Sequence, residues 1–179
     1  NGLAVFLVEM RDLPVIAANV LVLSGSDHNP RDLPGLASFT AEMLDEGTAK
    51  RSALGIAEDA ERIGAILTTG STADYSYAAV RTLARNSESA FELLSDILLN
   101  PAFAPEEIER IRIERLTHIL QQKDHPGLIA IKVFYNAIYG SSHPYGFLEV
   151  GTEESNRAVT RDRLLSFYKS GYLASNSAL

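Results

Sequence analysis

The chain has 179 residues, of which 46% are hydrophobic and 22% charged. That is the mix of a globular domain with a sizeable core, and it excludes a disordered tail, a collagen-like fibre and a coiled-coil rod. Sixteen Lys+Arg against 23 Asp+Glu leave a formal charge of −7, and no Lys/Arg cluster is present, so nucleic acid and anionic membranes are poor partners.

Cysteine is absent, which removes disulfides and cysteine-ligated zinc and fits any compartment. The longest apolar runs, such as Val15–Leu23, are too short to cross a bilayer. The chain starts at Asn1-Gly2 on a strand-like run and stops at Ser177-Ala178-Leu179 where an apolar run begins. It reads as one domain, 1–179, truncated at both ends relative to a longer protein.

In chain order, Leu3–Glu9 and Val15–Leu23 are β-rich runs that predict two strands able to pair as a hairpin. Asp27–Pro34 is loop. The spacing of Leu36, Phe39, Met43 and Leu44 predicts a helix over Gly35–Glu46, stopped by Gly47. Ser52 is the N-cap expected for a helix through Ile63, ended by Gly64. Ala65–Thr69 and Asp74–Leu83 are strand candidates joined around Gly70-Ser71.

Ser87–Leu99 is amphipathic and ends at Asn100-Pro101. Pro105-Glu106-Glu107 opens a long helix to about Lys123, its acids placed to complement the helix dipole. Pro126 opens another, with Ile129, Val133, Phe134, Ala137 and Ile138 apolar; Gly140–Gly146 is loop; Thr160 caps a last helix through Tyr168. Strands first and helices after predict an α+β fold, a largely antiparallel sheet covered by helices on one face.

Chemistry is sparse in this pattern. The histidines are His28, His118, His125 and His143, and none lies i,i+4 from another, so no helix presents a two-His zinc clamp. Either three distant segments converge on a metal, or the histidines are surface or hydrogen-bonded groups. No Gly-x-Ser-x-Gly, P-loop or Gly-x-Gly-x-x-Gly occurs.

One segment changes the reading. Gly35-Leu36-Ala37-Ser38-Phe39-Thr40-Ala41-Glu42-Met43-Leu44-Asp45-Glu46-Gly47-Thr48 resembles the start of the active-site helix of the M16 metallopeptidases (insulinase, pitrilysin and mitochondrial processing peptidase-like). The family pattern there is roughly Gly-Leu-Ala-His-Phe-x-Glu-His-Met-x-x-x-Gly-Thr. The likeness continues through Asn1-Gly2-Leu3 with Val5, Lys50-Arg51-Ser52, Ile63-Gly64-Ala65, Leu94-x-x-Ile97-Leu98-Leu99-Asn100-Pro101 with Phe103, His143-Pro144-Tyr145-Gly146, Gly151-Thr152 and Phe167-Tyr168. Each piece is weak alone; their number, order and spacing make the match specific. The resemblance implies the LuxS/MPP-like metallohydrolase architecture and an N-terminal domain of that family.

The departures from the pattern bear on function. The family motif His-x-x-Glu-His holds zinc with two His at i,i+4, and its Glu acts as general base on the bound water. Here Ser38, Ala41 and Glu42 stand at those three positions. The third family ligand is a Glu on a later helix. Ungapped alignment puts Ile111 at the first Glu of that stretch and His118 at the ligand, with Glu109, Glu114 and Thr117 as competitors. Two ligands, Glu42 and His118, hold zinc weakly, and Ala41 offers no base, a loss of roughly 10²–10⁴-fold.

The resemblance therefore implies no zinc cofactor and no peptidase activity from this chain, with Glu42 and His118 expected to hydrogen-bond where the metal would be. It implies a non-catalytic subunit pairing, as a heterodimer, with a zinc-bearing M16 peptidase chain or a second M16-like domain. Peptide substrate would add to the strand Ala65-Ile66-Leu67-Thr68-Thr69, a form of β-augmentation; an ordinary core strand is the alternative. Two further alternatives are an active zinc metalloendopeptidase with an altered ligand set and a free-standing scaffold protein. By resemblance to bacterial relatives, the expected compartment is the periplasm.

Overall fold

Three helices start at hydroxyl caps, two of them, Ser52 and Thr160, as the sequence predicts. In the computed structural model, which describes residues 2–140 and 143–179, the Ser52 hydroxyl accepts from Gly55 N–H, that of Thr152 from Ser155 and that of Thr160 from Arg163. They open α2 (Ala53–Arg62), α6 (Glu153–Ala158) and α7 (Arg161–Gly171). Thr152 and Ser155 form a reciprocal capping box, which satisfies two orphan N–H groups together. Proline opens α4 (Pro105–Gln122) and α5 (Pro126–Tyr139), where its missing N–H has no helical partner to lose. The remaining helices are α1 (Leu36–Glu42) and α3 (Ser87–Leu99).

Four strands, β1 (Val15–Val22), β2 (Ile66–Ser71), β3 (Ser76–Leu83) and β4 (Ser177–Ala178), form a sheet in the order β2-β3-β1-β4 with every pairing antiparallel. β3 alternates in burial: Ser76, Ala78, Val80 and Thr82 are inside, and Arg81 and Leu83 are exposed. Its buried face packs with Leu93, Leu94 and Ile97 of α3 and with Ile56 and Ala60 of α2. A second cluster joins Phe39 and Met43 of α1 to Phe103, Ile108 and Ile111 and to Leu164 and Phe167 of α7. α1 lies between the two cores, because Leu44, just past its end, packs in the first. The α+β fold with an antiparallel sheet is as the sequence predicts.

Several local expectations differ. Residues 3–9 form no strand. Ala4 makes an isolated bridge to Ala178, and Val5, Phe6, Leu7 and Val8 stay exposed. β1 pairs with β3 along its length and with β4 at Leu21 and Val22, while residues 4–6 pair with residues 178–179 instead, Phe6 N–H donating to Leu179 O and Leu179 N–H to Ala4 O, so the predicted hairpin does not form.

The β2–β3 turn lies at residues 72–75 rather than at Gly70-Ser71, and the Thr72 hydroxyl accepts from Asp74 and Tyr75 N–H at 3.3 Å each. Gly70 belongs to the strand because Tyr77 lies across it; a Cβ there would come within 2.6 Å of the tyrosine oxygen. α1 ends at Glu42, short of the predicted Glu46. α5 buries none of its residues despite Ile129, Val133, Phe134 and Ile138. Of the quoted segments, Asn1 and, within the Gly140–Gly146 loop, Ser141 and Ser142 lie outside the described residues.

Candidate functional site

Short α1 is buried almost throughout, and Ser38 is 7% and Ala41 0% exposed. Its start is Gly35, at φ +94°, a left-handed conformation that favours glycine. A Cβ at Gly35 would meet Val150 O at 2.5 Å, and one at Gly151 would meet Pro34 O at 2.0 Å. Two glycines thus let the start of α1 and the loop before α6 touch backbone to backbone.

The side chain that fills this junction is Arg115 of α4, 3% exposed. Its Nη1 donates to Glu42 Oε1 at 2.6 Å and its Nε to Asn156 Oδ1 at 2.7 Å. Its Nη2 reaches Ser38 Oγ at 2.9 Å, Val150 O at 3.0 Å and Gly35 O at 3.1 Å. The ring of Phe39 lies 4.9 Å from the guanidinium carbon, close enough for a cation–π contact. All three nitrogens of the fork therefore have acceptors, as a buried charge requires. Burial draws the Arg115 pKa below its ordinary value, and Glu42 opposes that shift.

The neighbours of Arg115 are themselves tied down. Ser38 Oγ lies 2.6 Å from Glu149 O, which takes its proton. Buried Asn156 donates to Val150 O at 2.8 Å and to Thr152 O at 2.7 Å. One cation thus cross-links α1, α4, α6 and residues 149–151.

Sequence reasoning brought Ser38, Ala41 and Glu42 to one helix, correctly, but it gave Glu42 the wrong partner. The expected Glu42–His118 pair is not formed: Glu42 pairs with Arg115, and His118 is exposed on α4. Ile111, aligned with a family Glu, is in the core. A residue signal for Arg115 existed. Ile108, Ile111 and Arg115 are spaced i, i+3, i+7, one helix stripe, and an arginine on an apolar stripe is a buried charge needing a partner. Gly151 was part of the family likeness but with no role, and nothing marked Asn156.

These residues do not fit a zinc ion. Zinc needs about three anionic or imidazole donors, whereas Ser38 and Ala41 offer a neutral hydroxyl and a methyl. A guanidinium already neutralises Glu42, and a second cation beside it would be repelled. Among the described residues, no group of three His, Cys, Asp or Glu is arranged to hold a metal.

The strand named as a peptide dock, Ala65–Thr69, corresponds to β2 and lies at the sheet edge, paired on one side only by β3. Thr69 Oγ1 donates to Asp45 Oδ1 at 3.2 Å, fixing β2 to the segment after α1. A cavity of about 620 Å³ runs beside it, lined by Asp45, Glu46, Ile56, Ala60, Ala65 and Leu67 among others. Burial raises the Asp45 and Glu46 carboxyls above their ordinary pKa.

An antiparallel sheet with a buried short helix facing a longer one is the framework of M16-like peptidase domains. The insulinase (peptidase family M16) profile matches residues 5–143, and the chain belongs to that family. A protein of Rickettsia felis named an uncharacterized zinc protease is 31% identical over 98% of this chain and 42% of its own length. One of Bacillus subtilis with the same description is 26% identical over 96% of this chain and 42% of its own. This chain therefore spans less than half the length of these relatives.

A solved structure from Pseudomonas fluorescens, described as a peptidase M16 inactive domain, superposes with a TM-score of 0.93 at 30% identity, covering 99% of this chain and 43% of that one. A protease from Helicobacter pylori shares the fold, with a TM-score of 0.91 at 20% identity over 99% of this chain and 43% of that one. Among the described residues, no helix is long and apolar enough to cross a membrane.

Proposed function

We propose that this chain is a non-catalytic M16 peptidase-like unit without a zinc cofactor. It pairs with a zinc-bearing M16 peptidase subunit or a second M16-like domain and helps bind peptide. The observation that carries this reading is the Arg115 guanidinium, 2.6 Å from Glu42 and 2.9 Å from Ser38, a fixed internal cation between the helices. The buried methyl of Ala41 beside it offers no base for a water molecule. The description of the Pseudomonas fluorescens structure as an inactive domain points the same way.

Peptide binding needs no metal, since β2 has one edge unpaired within the sheet and backbone pairing supplies affinity there. The periplasm is the compartment that goes with the resemblance, and fractionation of cells making the full-length protein checks it.

The test is reconstitution. The protein is assayed for hydrolysis of a quenched fluorescent peptide alone and after mixing with a zinc-bearing M16 chain encoded beside it. The expected result is co-elution, with cleavage only in the mixture. Metal-dependent cleavage by the chain alone, or no association with such a chain, overturns the proposal.

A further inference from the structure

A second cavity, of about 180 Å³, lies between the C-terminal half of α5, the 3-10 turn at Pro144–Gly146 and the β2–β3 turn. Its lining includes Tyr135, Tyr139, Tyr145, Phe147, Glu149 and Ser26. It is smaller than pockets for drug-sized ligands, about 300–1,000 Å³, and suits a single head group.

The aromatic walls are mutually braced. Tyr139 and Tyr145 meet edge to face, with centroids 5.5 Å apart and planes at 84°. His143 stacks on Tyr139 at 5.5 Å and meets Tyr145 edge-on at 5.2 Å. The Tyr145 hydroxyl donates to Asp74, which fixes the ring. The perpendicular tyrosines beside this small cavity offer the corner of an aromatic cage, which takes cations through the negative ring faces; His143 stacks on one face of Tyr139 and leaves the other for the cation.

Carboxylates stand near the cavity, Asp27 among them paired with His28 at 2.6 Å. Glu149 lines the cavity, is exposed, and its carboxylate forms no ion pair among the described residues. Asp74 and, more weakly, Asp27 raise the pKa of the Tyr145 hydroxyl, Asp74 through its hydrogen bond first. His143 is the basic side chain of the ring cluster, and its Nδ1 accepts the Tyr145 N–H at 3.2 Å. Ser26, 6% exposed, also lines the cavity, and its hydroxyl has no hydrogen-bond partner, so a polar group without a donor or acceptor stands at the wall. The loop carrying these residues is held by Ser38 on Glu149 O and by Arg115 on Val150 O, which preforms the cavity.

We propose that this cavity binds an organic cation, an alkylammonium or guanidinium head group, seated against Tyr139 and Tyr145 with Glu149 as its counter-charge. The site stands independently of the peptidase reading. The head group belongs either to a basic side chain of a peptide or to a free small amine; the chemistry is shared.

The experiment is an NMR titration of the protein with labelled tyrosine rings. The probes are tetramethylammonium chloride, Nα-acetyl-lysine methylamide, a Gly-Lys-Gly peptide and, as the neutral control, Nα-acetyl-norleucine methylamide. Saturable shifts at Tyr139 and Tyr145 are expected with the cations and not with the norleucine compound. Tyr139→Ala is expected to weaken binding about tenfold. Glu149→Gln, at an exposed position that leaves the rings in place, is expected to weaken it severalfold.

Tighter binding of the peptide than of tetramethylammonium assigns a peptide side chain; the reverse order assigns a free amine. Equal binding of the norleucine compound, no saturation with any cation, or affinities unchanged in both variants overturn the proposal.

Discussion

Arg115 and Glu42 come from helices 73 residues apart in sequence and meet at 2.6 Å, with the guanidinium 3% and the carboxylate 41% exposed. The asymmetry matters. Arg115 cannot be re-solvated in place if its partners change, whereas Glu42 keeps contact with water.

Loss of Glu42 leaves the guanidinium its four neutral acceptors, whereas loss of Arg115 orphans all four at once, so truncation of the cation is expected to cost more. Arg115→Met leaves the acceptors of Ser38, Asn156, Gly35 and Val150 without their shared donor, and a loss of about 3–5 kcal/mol is expected. Glu42→Gln keeps a neutral acceptor and is expected to cost about 1–3 kcal/mol. Urea unfolding ranks the two; equal costs would place the energy of the pair elsewhere.

The backbone junction gives a second expectation. Gly151→Ala puts a Cβ 2.0 Å from Pro34 O, at φ +78°, so the loop before α6 must move away from α1. A loss of several kcal/mol is expected, with Arg115 losing Val150 O. Gly127→Ala, where a Cβ meets nothing within 4 Å, is the control and is expected to be nearly neutral.

A pH dependence follows from Asp96, 4% exposed. Burial pushes its pKa up, but hydrogen bonds from Thr48, Arg51 and Asn100 outweigh burial and hold it below the ordinary value. An acid with a depressed folded pKa contributes stability above its unfolded pKa, about 3.9, and loses it as pH falls through the folded value. The urea midpoint is expected to drop below about pH 4, and Asp96→Asn is expected to flatten that drop. The raised Asp45 and Glu46 act in the opposite sense: Asp45→Asn is expected to stabilise by about 0.5 kcal/mol near neutral pH and not in acid.

Restoring the family motif gives a fourth expectation. Ser38→His, Ala41→Glu and Glu42→His together are expected to bind zinc poorly while Arg115 remains, because its guanidinium sits within hydrogen-bond reach of positions 38 and 42. Adding Arg115→Glu replaces the cation with a donor, and stoichiometric zinc is expected only then, read by metal analysis after dialysis.

Two capped helices were legible because Ser52 and Thr160 carry their signal within four residues; the cap at Thr152 was not read from the sequence. The fate of Leu3–Glu9 was not, since that segment pairs at Ala4 and Phe6 with residues 178–179, far along the chain, and not with the neighbouring β1. At the site, the three motif positions on α1 were readable from local spacing alone. Their partner on α4 carried a signal too, Arg115 on the stripe of Ile108 and Ile111, but the ungapped alignment pointed to His118, on another side of that helix; burial of Ile108, Ile111 and Arg115 decides it. The loop contributions of Gly151 and Val150 are backbone contacts, to which side-chain patterns are blind.

Calorimetric titration of the chelator-stripped protein with zinc tests the central claim most directly. Arg115 as the resident cation predicts no saturable one-to-one binding in the wild-type chain. Tight stoichiometric binding that Glu42→Gln abolishes would show a metal displacing the guanidinium and would contradict it.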